Sequence, residues 1–465
     1  MSRKRRILIL SSLPPEHSAG LGTDLMNTLA CNGDEVTYFS RWPSALHAPG
    51  IKNMHRTLWQ RIVALFISHR RYRKRYRTEM SGAPLINSIR VLYPDERNPQ
   101  ESTGRIARQI RGKYDYIVTL FWQGMFTSET LRHLSRKFKC PVLIYAVDMA
   151  PVTGGCYYFN HCERYATSQC GMCPGLDSSD PGDCTHTNFL AKQQNYALCD
   201  ASFLGNTWMT QCAARSGLFR PDRIFNVGLV MNTERFRPAK DPRSIRAALG
   251  IAPEVKHVFF ARSADDPRKG SRYVIDAFLS VMKNMTDQQR RSILIITAGH
   301  EDTIGNALRP QGIAVKHMGM VDAPTLIRLY QVSTAFISPS TDDAGPSMVN
   351  QSLLCGTPVI SFATGVALDL VNNGTSGWRI PLCDTASLAN AINECIAMPA
   401  DTFAALRASS RATAMAHNSY EAVNARFRTI FNAYETERSS IGKIISKRIT
   451  NFVPSIKRRH TGNGN

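Results

Sequence analysis

The sequence lacks long apolar runs. Nothing in its 465 residues approaches the ~20 uninterrupted apolar residues that a membrane-spanning helix needs. The basic stretch at residues 3–6 is followed by an apolar run only at residues 7–10, which is too short for the core of a signal peptide. These absences predict a cytoplasmic protein, in which the twelve cysteines stay reduced.

Acidic residues are also scarce. The chain has 36 of them against 57 lysines and arginines, which gives a formal net charge of +21. Such an excess indicates an acidic partner, such as nucleic acid, anionic lipid or phosphorylated small molecules. Apolar residues make up 43% of the chain, as in ordinary soluble proteins. A chain of this length is too long to fold around a single hydrophobic core, so we expect two or more domains.

The most informative stretch covers residues 338–360. Short apolar runs on either side of its loop and helix predict two buried strands. The loop is acidic and contains glycine, and the helix begins after Pro346 and ends before Gly356. Free backbone N–H groups at such a helix start suit a phosphate. One strand–helix unit of any doubly wound protein is the alternative.

Asp343, Gln351 and the Cys-Gly-Thr-Pro-Val sequence at 355–359 resemble the donor-site signature of retaining glycosyltransferase family 4, the glycosyl transferases group 1 of bacterial surface-polysaccharide type. The resemblance implies the GT-B fold, an α/β architecture of two Rossmann-like doubly wound domains facing each other across a cleft. It also implies that Asp343 holds hydroxyls of the donor sugar. Gln351 stands where the family has a second carboxylate that holds the ribose, and it can bond the ribose only without charge.

The helix start completes the donor site that the resemblance implies. Its residues are Gly345, Pro346 and Ser347. Gly365, after the next strand, matches a family glycine that lets the backbone approach the ligand.

A basic loop follows the first strand of the second half, at residues 261–270. The family has an arginine and a Lys-Gly pair here, and these cations grip the donor diphosphate. The resemblance therefore implies that Lys269 is catalytic, with Arg262 or Arg268 as its partner. The lysine and the arginine together would stabilise the negative charge of the departing diphosphate. A solvated basic loop is the alternative.

Residues 147–156 end in Thr-Gly-Gly-Cys and resemble an element at the interdomain cleft of a family subgroup. Many relatives have a histidine that contacts the donor sugar where this chain has Val147. Asp148 is a catalytic candidate by this resemblance, and a helix cap or turn residue is the alternative. In the loop after the first strand, Gly20 and Gly22 are candidates to face the acceptor and the donor phosphates, or else form a tight turn.

Four cysteines follow within eighteen residues. They have the spacing C-x5-C-x7-C-x2-C, which fits a tetrahedral zinc site. A set of buried free cysteines is the alternative. We expect the metal to be structural, because four protein ligands would leave no position on it for water. No cofactor is expected for catalysis. The predicted ligands are Cys156, Cys162, Cys170 and Cys173.

Residues 56–77 combine apolar side chains with an arginine cluster. Trp59 and Phe66 lie in the apolar part, and six basic residues follow within 70–77. This mixture is typical of a helix at an anionic membrane surface. A solvated basic helix and an RNA-binding segment are the alternatives, but no RNA-binding motif accompanies it, so nucleic acid is not the expected partner.

Five regions follow from these patterns. They are an acceptor-side domain (1–225) with a cysteine-rich insert (154–185), a nucleotide-sugar domain (226–418), a closing helix (419–436) and a basic tail (437–465).

The sequence thus predicts a retaining hexosyltransferase that acts without metal. Its donor would be a nucleotide diphosphate sugar and its acceptor a lipid-linked glycan or an oligosaccharide, at the inner face of the cytoplasmic membrane. A catalytically silent protein of the same fold that binds sugar nucleotides or glycans is the alternative.

Overall fold

The computed structural model describes residues 4–452 apart from 32, 56, 67–95, 98, 123 and 284, with side chains up to residue 440. Two parallel β-sheets with helices on their faces form in this part of the chain, as the predicted fold class requires. The predicted arginine cluster at 70–77 and the end of the tail, 453–465, lie outside the described residues.

The first sheet has the strand order β3-β2-β1-β4-β5-β6-β7, with parallel neighbours. Its strands are β1 (Arg6–Ser11), β2 (Glu35–Ser40), β3 (Ile51–Asn53), β4 (Tyr116–Thr119), β5 (Val142–Tyr145), β6 (Ser202–Gly205) and β7 (Ile224–Asn226). The helices of this domain are α1 (His17–Ala30), α2 (58–66), α3 (Thr103–Gln109), α4 (Ser128–Phe138), α5 (Arg164–Thr167), α6 (Cys184–Leu198) and α7 (Thr207–Ser216).

The second sheet has the order β10-β9-β8-β11-β12-β13, again with parallel neighbours. Its strands are β8 (His257–Arg262), β9 (Ile293–Ala298), β10 (Val315–His317), β11 (Ala335–Ser338), β12 (Val359–Phe362) and β13 (Gly377–Ile380). Its helices are α8 (Pro242–Ala248), α9 (Ser271–Lys283), α10 (Asp287–Arg291), α11 (Thr303–Leu308), α12 (Ala323–Val332), α13 (Ser347–Leu354), α14 (Ala367–Leu370), α15 (Thr385–Ala397) and α16 (Ala400–Asn418).

In both sheets the strand order reverses beside the first strand. β1 lies between β2 and β4, and β8 lies between β9 and β11. Open α/β sheets bind ligands in the crevice outside the carboxyl ends of their strands at such a reversal. The loops after β8 and β11 leave the second sheet side by side, which places them at this crevice.

The last described helix, α17 (Tyr420–Phe452), returns to the first domain. Val423, Phe427 and Phe431 are buried in one apolar cluster with Ile7 and Ile9 of β1. The helix extends past the predicted end at 436, because no proline interrupts the chain before residue 454. In the part of the chain that is described, no helix has the length and apolar character needed to cross a membrane.

Candidate donor site at the interdomain cleft

Two cavities meet at the amino-terminal end of α13. The smaller, of about 210 Å³, is lined mainly by the loops after β8 and β11 of the second domain. The larger, of about 300 Å³, lies between the domains and is lined by α1, the loop after β5 and α13. The residues that line both cavities are Tyr158, Gly345 and Ser347.

Lys269 and Asp343 form an ion pair at the smaller cavity. The second carboxylate oxygen of Asp343 accepts the N–H of Gly345 at 3.2 Å. Gly270 makes the pairing possible, because a Cβ at this position would lie only 2.0 Å from the carbonyl oxygen of Pro339. The loops after β8 and β11 can therefore pack backbone to backbone, which brings the predicted cation and carboxylate together.

The two candidate arginines have different positions. Arg262 is exposed and lines the smaller cavity with Lys269. Arg268 is 8% exposed, and its Nη2 pairs with Asp266 at 2.6 Å. Its guanidinium carbon lies 4.0 Å from the centre of the Tyr158 ring. Arg262 is thus the arginine placed to face an anion beside Lys269, and Arg268 packs against Tyr158.

Gln351 lies in α13 and lines the larger cavity. Its side-chain oxygen accepts a hydrogen bond of 3.0 Å from the hydroxyl of the buried Tyr330. Since Tyr330 occupies the oxygen, the amide nitrogen is the group left for a ligand. Val147 lines the same cavity, at the position where the family resemblance implies a histidine.

Asp148 caps a turn. Its Oδ1 accepts the N–H of Ala150 at 2.9 Å, at the start of the 3-10 helix Ala150–Val152. Asp148 is not among the described residues that line the two cavities. The geometry favours the structural alternative for this residue over the catalytic one.

The candidate glycines of the first loop are placed by packing. A Cβ on Gly22 would lie 2.7 Å from both the Cα of Pro15 and the hydroxyl oxygen of Tyr38. Gly20 has a φ of +85° and, with Ser18 and Ala19, forms a left-handed kink within α1. The larger cavity is lined here by Ser18 and its neighbours, not by the two glycines.

Gly365 also serves close backbone packing. A Cβ on this residue would lie 2.4 Å from the carbonyl oxygen of Asp343 and 3.3 Å from the nitrogen of Gly345. The turn after β12 therefore packs against the backbone of the loop after β11 (residues 339–346), which we call the donor loop. Gly365 shapes the site without lining either cavity in the described part of the chain.

The cysteine-rich insert brings two of the four predicted ligands into direct contact. Cys156 donates a hydrogen bond to Cys173, which lowers the pKa of Cys173 to about 7. Burial raises the pKa of Cys170 to about 12, and its sulfur accepts the N–H of Gly154 at 3.3 Å. Cys162 is half-buried. Among the described residues no group of three or more histidines, cysteines or acids is arranged to hold a metal ion, so the zinc site stays a prediction.

Sequence reasoning missed the contacts between the domains at the donor loop. Asp342, which is 1% exposed, accepts the backbone N–H of Asn160, and burial raises the pKa of its carboxyl. The amide of Asn206 donates to the carbonyl of Ala344. No spacing rule connects residues so distant in the sequence. Tyr158 was missed too, and its place two residues after Thr-Gly-Gly-Cys was the available signal.

Residues 254–398 match the family described as glycosyl transferases group 1. The matched residues lie within the second domain. The resemblance predicted from Asp343, Lys269 and their neighbouring motifs is thereby confirmed.

Relatives and solved structures agree with this assignment. The chain is 29% identical over 201 residues to the D-inositol 3-phosphate glycosyltransferase of Acidothermus cellulolyticus, covering 40% of this chain and 44% of that protein. It is 25% identical over 138 residues to the phosphatidyl-myo-inositol mannosyltransferase of Mycobacterium leprae, covering 30% and 36%. The chain thus spans less than half the length of these relatives.

Anabaena HepE in complex with UDP and glucose superposes with a TM-score of 0.58 at 15% identity, over 92% of this chain and 100% of that one. The predicted GT-B fold is confirmed.

Proposed function

We propose that the protein is a retaining hexosyltransferase. It transfers a hexose from a nucleoside diphosphate sugar to a lipid-linked glycan or an oligosaccharide in cell-surface polysaccharide biosynthesis. The observation that carries the proposal is the convergence of Arg262, Lys269 and Asp343 with the start of α13 around one cavity. The UDP and glucose held by the Anabaena structure support the donor class.

The two cations and the helix start would act on the leaving diphosphate. Negative charge grows on its terminal phosphate as the bond to the sugar breaks. Arg262, Lys269 and the free N–H groups near Ser347 supply positive charge at that point and need little rearrangement. These groups make a catalytic metal unnecessary in the proposed reaction.

Retention is proposed to follow from attack on the face that the diphosphate leaves. Asp343, the carboxylate that lines the smaller cavity, is held by Lys269 and by the N–H of Gly345. A carboxylate held in this way is a weak nucleophile and a good acceptor for sugar hydroxyls. The acceptor hydroxyl would therefore attack directly, with the departing phosphate taking its proton.

An acceptor at the inner face of the cytoplasmic membrane suits the surface of the first domain. α2 exposes several large apolar side chains, among them Trp59 (72% exposed) and Phe66 (66%). An exposed apolar patch next to a basic segment is what binding to anionic lipid requires. The phosphatidyl-myo-inositol mannosyltransferase among the relatives supports a lipid-linked acceptor.

The second candidate is a sugar-nucleotide or glycan-binding protein without turnover. Val147 in place of the family's histidine and Gln351 in place of its carboxylate favour this reading. The intact Lys269–Asp343 pair favours an enzyme.

A thermal-shift panel of nucleotide sugars, followed by a donor hydrolysis assay, tests the proposal. We expect one nucleotide sugar to raise the melting temperature and to be hydrolysed slowly without acceptor. Binding without any hydrolysis or transfer would favour the silent protein. The absence of binding across uridine, guanosine and adenosine diphosphate sugars would refute the donor class.

A further inference from the structure

The cysteine-rich insert reaches across the cleft between the domains. Between Cys156 and Cys162 the chain passes the donor loop, where the N–H of Asn160 binds Asp342. Two residues before Asn160, Tyr158 lies at the junction of the two cavities and lines both. An element of the first domain therefore contributes a side chain to the centre of the donor site.

The ring of Tyr158 is fixed by cations of the second domain. The guanidinium carbon of Arg268 lies 4.0 Å from the ring centre, and Nζ of Lys269 lies 5.7 Å from it. Nε and Nη1 of Arg268 are buried without a hydrogen-bond partner among the described residues. The guanidinium of Arg268 thus lies over the ring, an arrangement in which cation and aromatic ring attract each other.

The hydroxyl of Tyr158 remains for a ligand. None of the hydrogen bonds among the described residues involves this hydroxyl, and Tyr158 is half-buried. A phenol hydroxyl can donate one hydrogen bond and accept others.

The proposed function places the transferred hexose at the junction. In that reaction the cations of the smaller cavity hold the diphosphate, and the acceptor approaches through the larger, interdomain cavity. The sugar that links diphosphate to acceptor therefore occupies the space shared by Gly345, Ser347 and Tyr158. Val147, which lines the larger cavity, offers no polar atom to a sugar there.

We propose that Tyr158 binds the transferred hexose, with its ring against the sugar and its hydroxyl bonded to a sugar hydroxyl, and so supplies from the insert the polar contact that Val147 cannot make. This inference rests on the proposed function. It makes Tyr158 a determinant of which hexose is accepted, and it gives the insert a direct part in the donor site.

The test compares Tyr158→Phe with wild type for binding of UDP-glucose and GDP-mannose, each beside its nucleoside diphosphate alone. We expect Tyr158→Phe to weaken the accepted nucleotide sugar about fivefold, since one hydrogen bond is lost. Its affinity for the nucleoside diphosphate should not change. Tyr165→Phe is the matched control, because Tyr165 belongs to the same insert but is not among the residues that line the two cavities.

Three results would overturn the inference. If Tyr158→Phe binds the nucleotide sugar as wild type does, the hydroxyl does not contact the hexose. If the variant loses nucleotide sugar and nucleoside diphosphate equally, Tyr158 only supports the cations. If wild type binds none of the nucleotide sugars, the proposed function fails first and the inference fails with it.

Discussion

At the scale of single residues, the site is organised by the ion pair between Lys269 and Asp343. Gly270 allows the loops after β8 and β11 to touch, which brings the two charges together. Each charge therefore holds the other where the proposed reaction needs it, the cation toward the diphosphate and the carboxylate toward the sugar. Groups held in place in this way need little rearrangement when the transition state forms.

Replacement of the lysine tests this role. We expect Lys269→Ala to lower the rate of transfer by ~2–4 kcal/mol of transition-state stabilisation, the scale for one lost donor to developing charge. Nucleotide affinity should fall much less, since the charge is largest in the transition state. Rates and affinities measured for Lys283→Ala, an exposed lysine of α9, provide the control. Equal losses of affinity and rate in Lys269→Ala would show uniform binding and refute the catalytic role.

Gln351 offers a gain-of-affinity experiment. In Gln351→Glu one carboxylate oxygen can accept from Tyr330 and the other from a ribose hydroxyl. Hydrogen bonds to charged groups are stronger by about 1 kcal/mol, so we expect the nucleoside diphosphate to bind about fivefold more tightly by calorimetry. Gln288→Glu, on the exposed surface of α10, controls for the added charge. Weaker binding in Gln351→Glu would contradict this expectation, because it would show that the ribose needs an N–H donor, which glutamate lacks.

At the scale of secondary-structure elements, the central strands were predictable and most of the edge strands were not. The apolar runs at 142–145 and 359–362 coincide with β5 and β12, because both faces of a central parallel strand are buried. β3, β7 and β13 are three of the four edge strands of the two sheets and contain three or four residues each. Such short edges need no apolar run, so no sequence pattern marks them.

The cysteine-rich insert supports a prediction about metal. If its thiols bind zinc, protein prepared without added metal carries about one zinc per chain, as a four-cysteine structural site requires. Cys170→Ser/Cys173→Ser should then lower the melting temperature and lose the zinc. Cys31→Ser/Cys383→Ser, which alters two exposed cysteines outside the insert, is the control. Elemental analysis that finds no zinc in wild type would end this prediction.

At the scale of the whole molecule, the site depends on both domains. The second domain supplies the cations and the start of α13, which the sequence revealed because the motifs are local. The first domain supplies Tyr158 and the contacts of Asn160 and Asn206 with the donor loop. These depend on how two folded units meet, and no local pattern in one sequence encodes that.

Membrane binding belongs to the same scale. We expect Trp59→Ser/Phe66→Ser to weaken binding to anionic vesicles at least tenfold, since one buried large apolar side chain contributes ~1.5–3 kcal/mol. Turnover on a short soluble acceptor should not change. Leu198→Ser/Met320→Ser removes two comparably exposed side chains elsewhere and is the control in vesicle sedimentation. If the wild-type protein does not bind anionic vesicles at low salt, the membrane prediction is refuted.

The return of α17 to the first domain sets an order for synthesis on the ribosome. Arg5, near the beginning of the chain, bonds Glu435 and Asn432 of that helix, and Tyr116 of β4 bonds the carbonyl of Phe431. The N-terminal domain is translated first, but it cannot complete its fold until α17 has emerged from the ribosome. Until then one apolar face of its sheet stays uncovered. The second domain has no such delay. In a growing chain, the domain made last is expected to be the first to reach its final structure.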